Sequence, residues 1–119
     1  MKIFVFGSNE AGIHGAGAAK SAREQHGAIY GNGRGIQGNS YGIPTKDHRL
    51  KVRKLVDIME DVEIFIQFAK DHPEHEFMLT PIGCGLAGFS PEEIAPMFRK
   101  APDNVKLPAV FKSVLGRLV

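Results

Sequence analysis

The sequence predicts a compact three-layer α/β domain, a mostly parallel sheet with helices on both faces. Three observations carry this. Short apolar runs rich in β-formers alternate with helical patterns along the whole chain. The glycines gather where the apolar runs end: of 14, 13 precede residue 90 and six fall within residues 27–42. Finally, 119 residues suit one domain, residues 1–119, and leave no room for two.

The elements follow in order. Residues 2–6 form a continuous apolar run, the pattern of a strand covered on both faces. Residues 7–17 read as a loop. Residues 16–26 read as a helix with a stripe of small residues, Ala18, Ala19 and Ala22, stopped by Gly27. Residues 27–40 are irregular, with a short strand expected at 28–30. A second main strand covers 41–45. Leu55, Met59, Val62, Ile66 and Ala69 recur at helical spacing, so the longest helix starts between residues 52 and 57 and ends before Pro73. A third main strand is expected at 76–82. Ser90-Pro91-Glu92-Glu93 is a strong helix start, with a capping serine, a proline in the first turn and a glutamate three residues on, and that helix should run to about Phe98. A short strand at 105–107 and a closing helix at 109–118 complete the chain.

Composition excludes several functions. No apolar stretch reaches about 18 residues, so no membrane-spanning helix is expected. Residues 1–7 lack a cleavage site and read as a strand, not a signal peptide. One cysteine, Cys84, excludes an internal disulfide and suits a reducing, cytoplasmic setting. A net charge of +2 argues against wholesale coating of nucleic acid. His72 and His75 have loose metal spacing, but Pro73 breaks the helix between them and no third ligand is evident, so no metal or cofactor is expected.

The chemistry is expected in three segments that leave the main strands. In a parallel sheet these lie on one edge, where ligands of such sheets bind. The first runs Gly7-Ser8-Asn9-Glu10-Ala11-Gly12-Ile13-His14-Gly15-Ala16-Gly17 and delivers a Gly-x-Gly turn into a helix N-terminus, which favours an anion by roughly 0.3–2 kcal/mol. The second, Thr45-Lys46-Asp47, opens a run to Lys54 with five cations and one carboxylate, of which Lys46 is best placed to face a phosphate. The third is Ile82-Gly83-Cys84-Gly85-Leu86-Ala87-Gly88-Phe89, whose three glycines allow backbone to wrap a diphosphate. It also matches the dinucleotide fingerprint G-x-G-x-x-G, yet only about 30 residues follow, too few for the second half of such a fold. Gly33-Arg34-Gly35-Ile36-Gln37-Gly38 matches by letter as well, but leads towards a strand. Cys84, flanked by glycines, reads as a compact filler rather than a nucleophile, and His14 as a loop-stabilising side chain with a place near the ligand.

At these residues the chain resembles a macro domain. Phe6-Gly7-Ser8-Asn9 with Gly15-Ala16-Gly17-Ala18-Ala19, then Ile43-Pro44-Thr45-Lys46, then Ile82-Gly83-Cys84-Gly85-Leu86-Ala87-Gly88-Phe89 are similar to the family's strand ends and loops, over roughly residues 2–98. The resemblance implies a macro-like fold with a mixed, mostly parallel sheet, trimmed of the earlier strands that carry an adenine-recognising aspartate. It implies ADP-ribose or a related nucleotide as ligand, held between the two glycine loops, and ADP-ribosylated protein or nucleic acid as a larger partner. In the terminal ADP-ribose glycohydrolase branch, which it resembles most, a lysine matched by Lys46 works at the distal ribose, and Asn9 matches an asparagine that orients it. Ala19 stands where another hydrolase branch carries an aspartate just after the first-loop glycines, Ala87 stands where the glycohydrolase branch can carry one after Gly-Cys-Gly-Leu, and Asp47, beside Lys46, is left as a substitute. Four readings stay open: an ADP-ribosyl hydrolase, a non-catalytic reader or sponge of an ADP-ribose metabolite, a nucleic-acid accessory module using residues 46–54, and a truncated NAD enzyme. The oligomeric state is not fixed by the sequence.

Overall fold

A computed structural model describes residues 1–117. The chain runs β1 (Lys2–Asn9), α1 (Gly17–Gln25), β2 (Gly35–Gln37), β3 (Ser40–Lys46), α2 (Leu55–Asp71), β4 (Glu76–Leu79), α3 (Pro91–Ile94), a 3-10 turn (Ala95–Phe98), β5 (Val105–Lys106) and α4 (Ala109–Arg117). Leu118, expected to end the closing helix, lies outside the described residues. The result is a compact α/β fold, with a five-stranded, mixed, mostly parallel sheet and four α-helices among the described residues.

Strand order is β2-β3-β1-β4-β5. β1 is central and pairs in parallel on both sides, Phe4 to Pro44-facing Ser8 along β3 and Lys2 to Val5 along β4. β4 and β5 are also parallel, and only β2 against β3 is antiparallel. Alternation along β1 sorts its side chains onto two cores. Ile3 and Val5 join the larger core, built with α2, the 3-10 turn and α4. Phe6, with Phe4 beside it, joins a smaller core under α1, whose Ala19 and Ala22 let that helix lie close to the sheet. In the larger core Phe65 meets Phe77 edge to face at 5.4 Å, and Phe98 stacks on Phe111 at 5.8 Å. Each such fully buried side chain stabilises the fold by about 1.5–3 kcal/mol.

Several expected boundaries move. β1 does not end at Phe6: Gly7, Ser8 and Asn9 continue it because β3 extends far enough to pair with them, up to Asn9 opposite Lys46. The extra strand lies at 35–37, not 28–30, because residues 35–37 meet β3 while Ile29 and Tyr30 stay exposed. β4 stops at Leu79, short of Ile82, since Pro81 has no N–H for a ladder. The helix after Ser90 tightens into a 3-10 turn at Ala95, where Pro96 cannot donate back to the preceding turn. On α2 the buried face is Ile58, Val62, Phe65, Ile66 and Ala69, with Leu55 and Met59 only half-buried.

α2 also buries a charge, Asp61. Arg34 grips it through Nε at 2.8 Å and an Nη at 3.1 Å, and Arg53 through Nη1 at 2.7 Å. Glu10 closes the ring, 3.2 Å from Arg34 and 3.8 Å from Arg53. Burial pushes the Asp61 carboxyl up, but the two guanidiniums outweigh it and hold it below the usual range. Arg53 also donates to the Pro44 carbonyl at 2.6 Å. One ring thus ties the segment after β1, the approach to β2, the end of β3 and α2 together.

Most glycines of 27–42 serve backbone contact. Gly33 lies so close to β1 that a Cβ there would overlap the Asn9 carbonyl oxygen, and the Ser8 hydroxyl donates to the Gly33 carbonyl from the same strand. Gly33→Ala should therefore lower unfolding free energy by about 1–3 kcal/mol in urea denaturation. Gly15→Ala, where a Cβ meets nothing within 4 Å, should change it by less than about 0.5 kcal/mol.

Candidate functional site

Because β1, β3 and β4 run in parallel, their C-terminal ends deliver three segments to one edge of the sheet. There they enclose a cleft of about 400 Å³. The segments touch: a Cβ on Gly7 would stand 3.5 Å from the Gly83 nitrogen and 3.5 Å from the Ile82 Cβ. Gly7 and Ser8 come from β1, Ala16 and Gly17 from the start of α1, Thr45 and Lys46 from the end of β3, and residues 83–87 from the third segment.

α1 opens into this cleft without a side-chain cap. Its N-cap is Ala16, in extended conformation, and nothing on that side chain can accept from the first turn. The first N–H that bonds back is that of Lys20, to the Ala16 carbonyl at 3.2 Å. The N–H groups of Gly17, Ala18 and Ala19 thus have no intrahelical acceptor, and all three residues border the cleft. A further donor set faces them. In the third segment Cys84, Gly88 and Phe89 spend their N–H groups on the carbonyls of Pro81, Gly85 and Gly83. Those of Gly85, Leu86 and Ala87 have no acceptor among the described residues. α3 contributes nothing of this kind, because its N-terminus is closed by a capping box in which Ser90 accepts from the Glu93 N–H at 3.3 Å and Glu93 accepts from the Ser90 N–H at 3.0 Å.

Lys46 is the one charged residue that borders the cleft, and it has no ion-pair partner among the described residues. No Asp, Glu or His lies in the wall. Backbone donors and an ammonium together make a site for an anion.

Not every expected site residue reaches it. Asn9 is buried and outside the cleft wall, its amide donating to the Ile13 carbonyl at 2.8 Å and accepting from the Ile13 N–H at 2.9 Å, so it shapes the first loop. Asp47 caps its own turn, accepting from the Arg49 N–H at 2.8 Å and the Lys51 N–H at 3.0 Å, and these bonds hold its carboxyl below the usual range. His14 is fully buried, edge-on to Phe6 at 5.5 Å, outside the cleft wall. Gly15 adjoins the wall with open space beside it, and Gly88 and Phe89 close the turn behind it, Phe89 packing on the larger core. Cys84 borders the cleft, but burial and then Glu92 and Glu93 push its thiol up, the opposite of what a nucleophile needs. Thr80, Pro81 and Ile82 border the cleft too. Ile82 opens the third segment, whereas an unbroken strand over 76–82 hides Thr80 and Pro81, for which Pro81 itself was the available signal.

Among the described residues no group of three or more side chains could hold a metal ion, and no helix is long and apolar enough to cross a membrane. Comparison of the chain with protein-family models, with curated proteins and with solved structures found no match.

His14 has a measurable consequence. Neither ring nitrogen has a partner within hydrogen-bond geometry; burial lowers its pKa from 6.5, the nearby Asn32 backbone opposes this, and the charge of Arg23 adds to the lowering. Below that pH the unfolded chain takes up a proton that the folded ring refuses, so stability present above pH 6.5 is lost as pH falls towards the folded value. Denaturant titrations between pH 7 and 5 should show this loss, and His14→Leu should flatten the slope.

Proposed function

We propose that this chain is a minimal macro-like module that binds ADP-ribose or a closely related nucleotide diphosphate in the cleft. One observation carries the reading. Two unpaired donor sets, the first turn of α1 and the amides of residues 85–87, border the same cleft, with Lys46 as its single charge. A diphosphate has oxygens for both sets, and hydrogen bonds to a charged group contribute about 1.5–3 kcal/mol each. The likeness of the loops to macro-domain motifs supplies the nucleotide; the donor pattern supplies the anion.

Lys46 favours a second reading, hydrolysis of an ADP-ribosyl linkage. With no carboxylate in the wall, the Lys46 nitrogen is the nucleophile available. It would attack the anomeric carbon as the bond to the ADP-ribosylated group breaks and its own proton passes to that leaving group, and water would then cleave the carbon–nitrogen bond and restore Lys46. A non-catalytic reader would use the same cleft. The nucleic-acid reading weakens, because Arg53 is spent inside the ion ring and Lys46 on the cleft, leaving Arg49, Lys51 and Lys54 of that run at the surface.

Calorimetry with ADP-ribose, ADP and NAD tests the binding. ADP-ribose should bind in the micromolar range, and Gly85→Ala should weaken it about tenfold without shifting the unfolding midpoint, since the added methyl meets no protein atom within 4 Å. No heat from any of these compounds would end the proposal. On ADP-ribosylated protein or DNA, Lys46→Ala should abolish any turnover while leaving binding within a few-fold, and turnover surviving that change would remove Lys46 from the chemistry.

A further inference from the structure

β3 carries one residue more than its neighbour where the cleft begins. Ser8 of β1 faces Pro44 and Asn9 faces Lys46, so Thr45 is an extra residue, a β-bulge. Successive side chains of a regular strand turn to opposite faces. In an unbroken register Thr45 would face Asn9 and Lys46 would turn to the other face, yet Thr45 and Lys46 both border the cleft. Arg53 holds this slip in place. It donates from its backbone N–H to the Thr45 carbonyl at 2.9 Å and from Nη1 to the Pro44 carbonyl at 2.6 Å, so both peptide groups that flank Thr45 hang on it. The Lys46 carbonyl is held separately, by the Glu10 N–H at 2.9 Å. Arg53 is itself fixed by Asp61 Oδ2 at 2.7 Å, the Asp57 carbonyl at 3.3 Å and Glu10 at 3.8 Å. Its side chain is only 11% exposed and lies outside the cleft wall.

We infer that Arg53 is a positioning residue: by clasping the bulge at Thr45 it aims the Lys46 ammonium into the cleft, without touching the ligand itself. This rests on the proposed anion binding, in which Lys46 is the single charge of the wall. Arg34 gives the contrast. It grips the same Asp61 through Nε at 2.8 Å and reaches Glu10 at 3.2 Å, but makes no hydrogen bond to residues 44–46 among the described residues. Both arginines therefore fasten the ion ring, and only Arg53 reaches the bulge.

Arg53→Gln and Arg34→Gln separate the two roles, since each removes one guanidinium from Asp61 and should lower the unfolding midpoint. The readout is the Hε–Cε signal of Lys46, followed by NMR during titration with ADP-ribose, with the amides of residues 16–19 and 85–87 as the measure of occupancy. In the wild-type chain and in Arg34→Gln the Lys46 signal should move together with the amides. In Arg53→Gln the amides should still move, while the Lys46 shift falls to roughly a third or less. Arg53→Lys and Arg34→Lys keep the charge beside Asp61 and serve if a glutamine variant does not fold. Lysine lacks the fork that reaches Pro44, Asp61 and Asp57 together, so Arg53→Lys should cut the Lys46 shift to roughly half and Arg34→Lys should leave it unchanged. A full Lys46 shift in the Arg53 variants, an equal loss in the Arg34 variants, loss of the amide shifts in the Arg53 variants, or a wild-type Lys46 that stays still while the amides move would overturn the role of Arg53 and leave the diphosphate site intact. A wild-type chain in which neither the amides nor Lys46 move would overturn both.

Discussion

The parallel pairing of β1 with β3 on one side and β4 on the other is the constraint on which the rest depends. It sends three strand ends in one direction, so that Gly7 and Ser8, Thr45 and Lys46, and the turn at Gly83 arrive together. It also sets the two cores, because alternate side chains of β1 must be covered by α1 on one face and by α2 and α4 on the other. An antiparallel neighbour in either place would carry one of these segments to the far edge and dismantle the cleft.

The two glycine-rich regions do different work. Around Gly33 the missing side chain lets one backbone lie on another, and the Glu10–Arg34–Asp61–Arg53 ring fastens that contact. Around Gly15 and Gly85 a Cβ would meet nothing, and the neighbouring amides lack partners. The two helix starts also divide. Ser90 and Glu93 satisfy the start of α3, whereas Ala16 leaves the start of α1 open to the cleft. Local chemistry that would close a helix end is thus present where it serves stability and missing where a ligand would sit.

Much of this was legible in residue order. The element sequence, the long helix and the convergence of three strand ends follow from periodicity and from the βαβ rule. What escaped depends on partners distant in sequence. Residues 28–30 and 35–37 both carry β-formers, and only the presence of β3 decides for the latter. Gly7, Ser8 and Asn9 read as loop until β3 is known to run beside them. Asn9, Asp47 and His14 had the right types for a site, yet all three lie outside the cleft wall, Asn9 and Asp47 bonded within their own loops and His14 buried. The ion ring joins residues 10, 34, 53 and 61 and leaves no local pattern.

The central claim is that backbone amides on two separate loops close on the same phosphates. Amide chemical-shift mapping by NMR during titration with ADP-ribose addresses it directly. The account predicts large shifts confined to residues 16–19, 45–46 and 83–87, saturating together at one ligand per chain. Shifts restricted to one loop, or centred on the surface cations Arg49, Lys51 and Lys54, would contradict it.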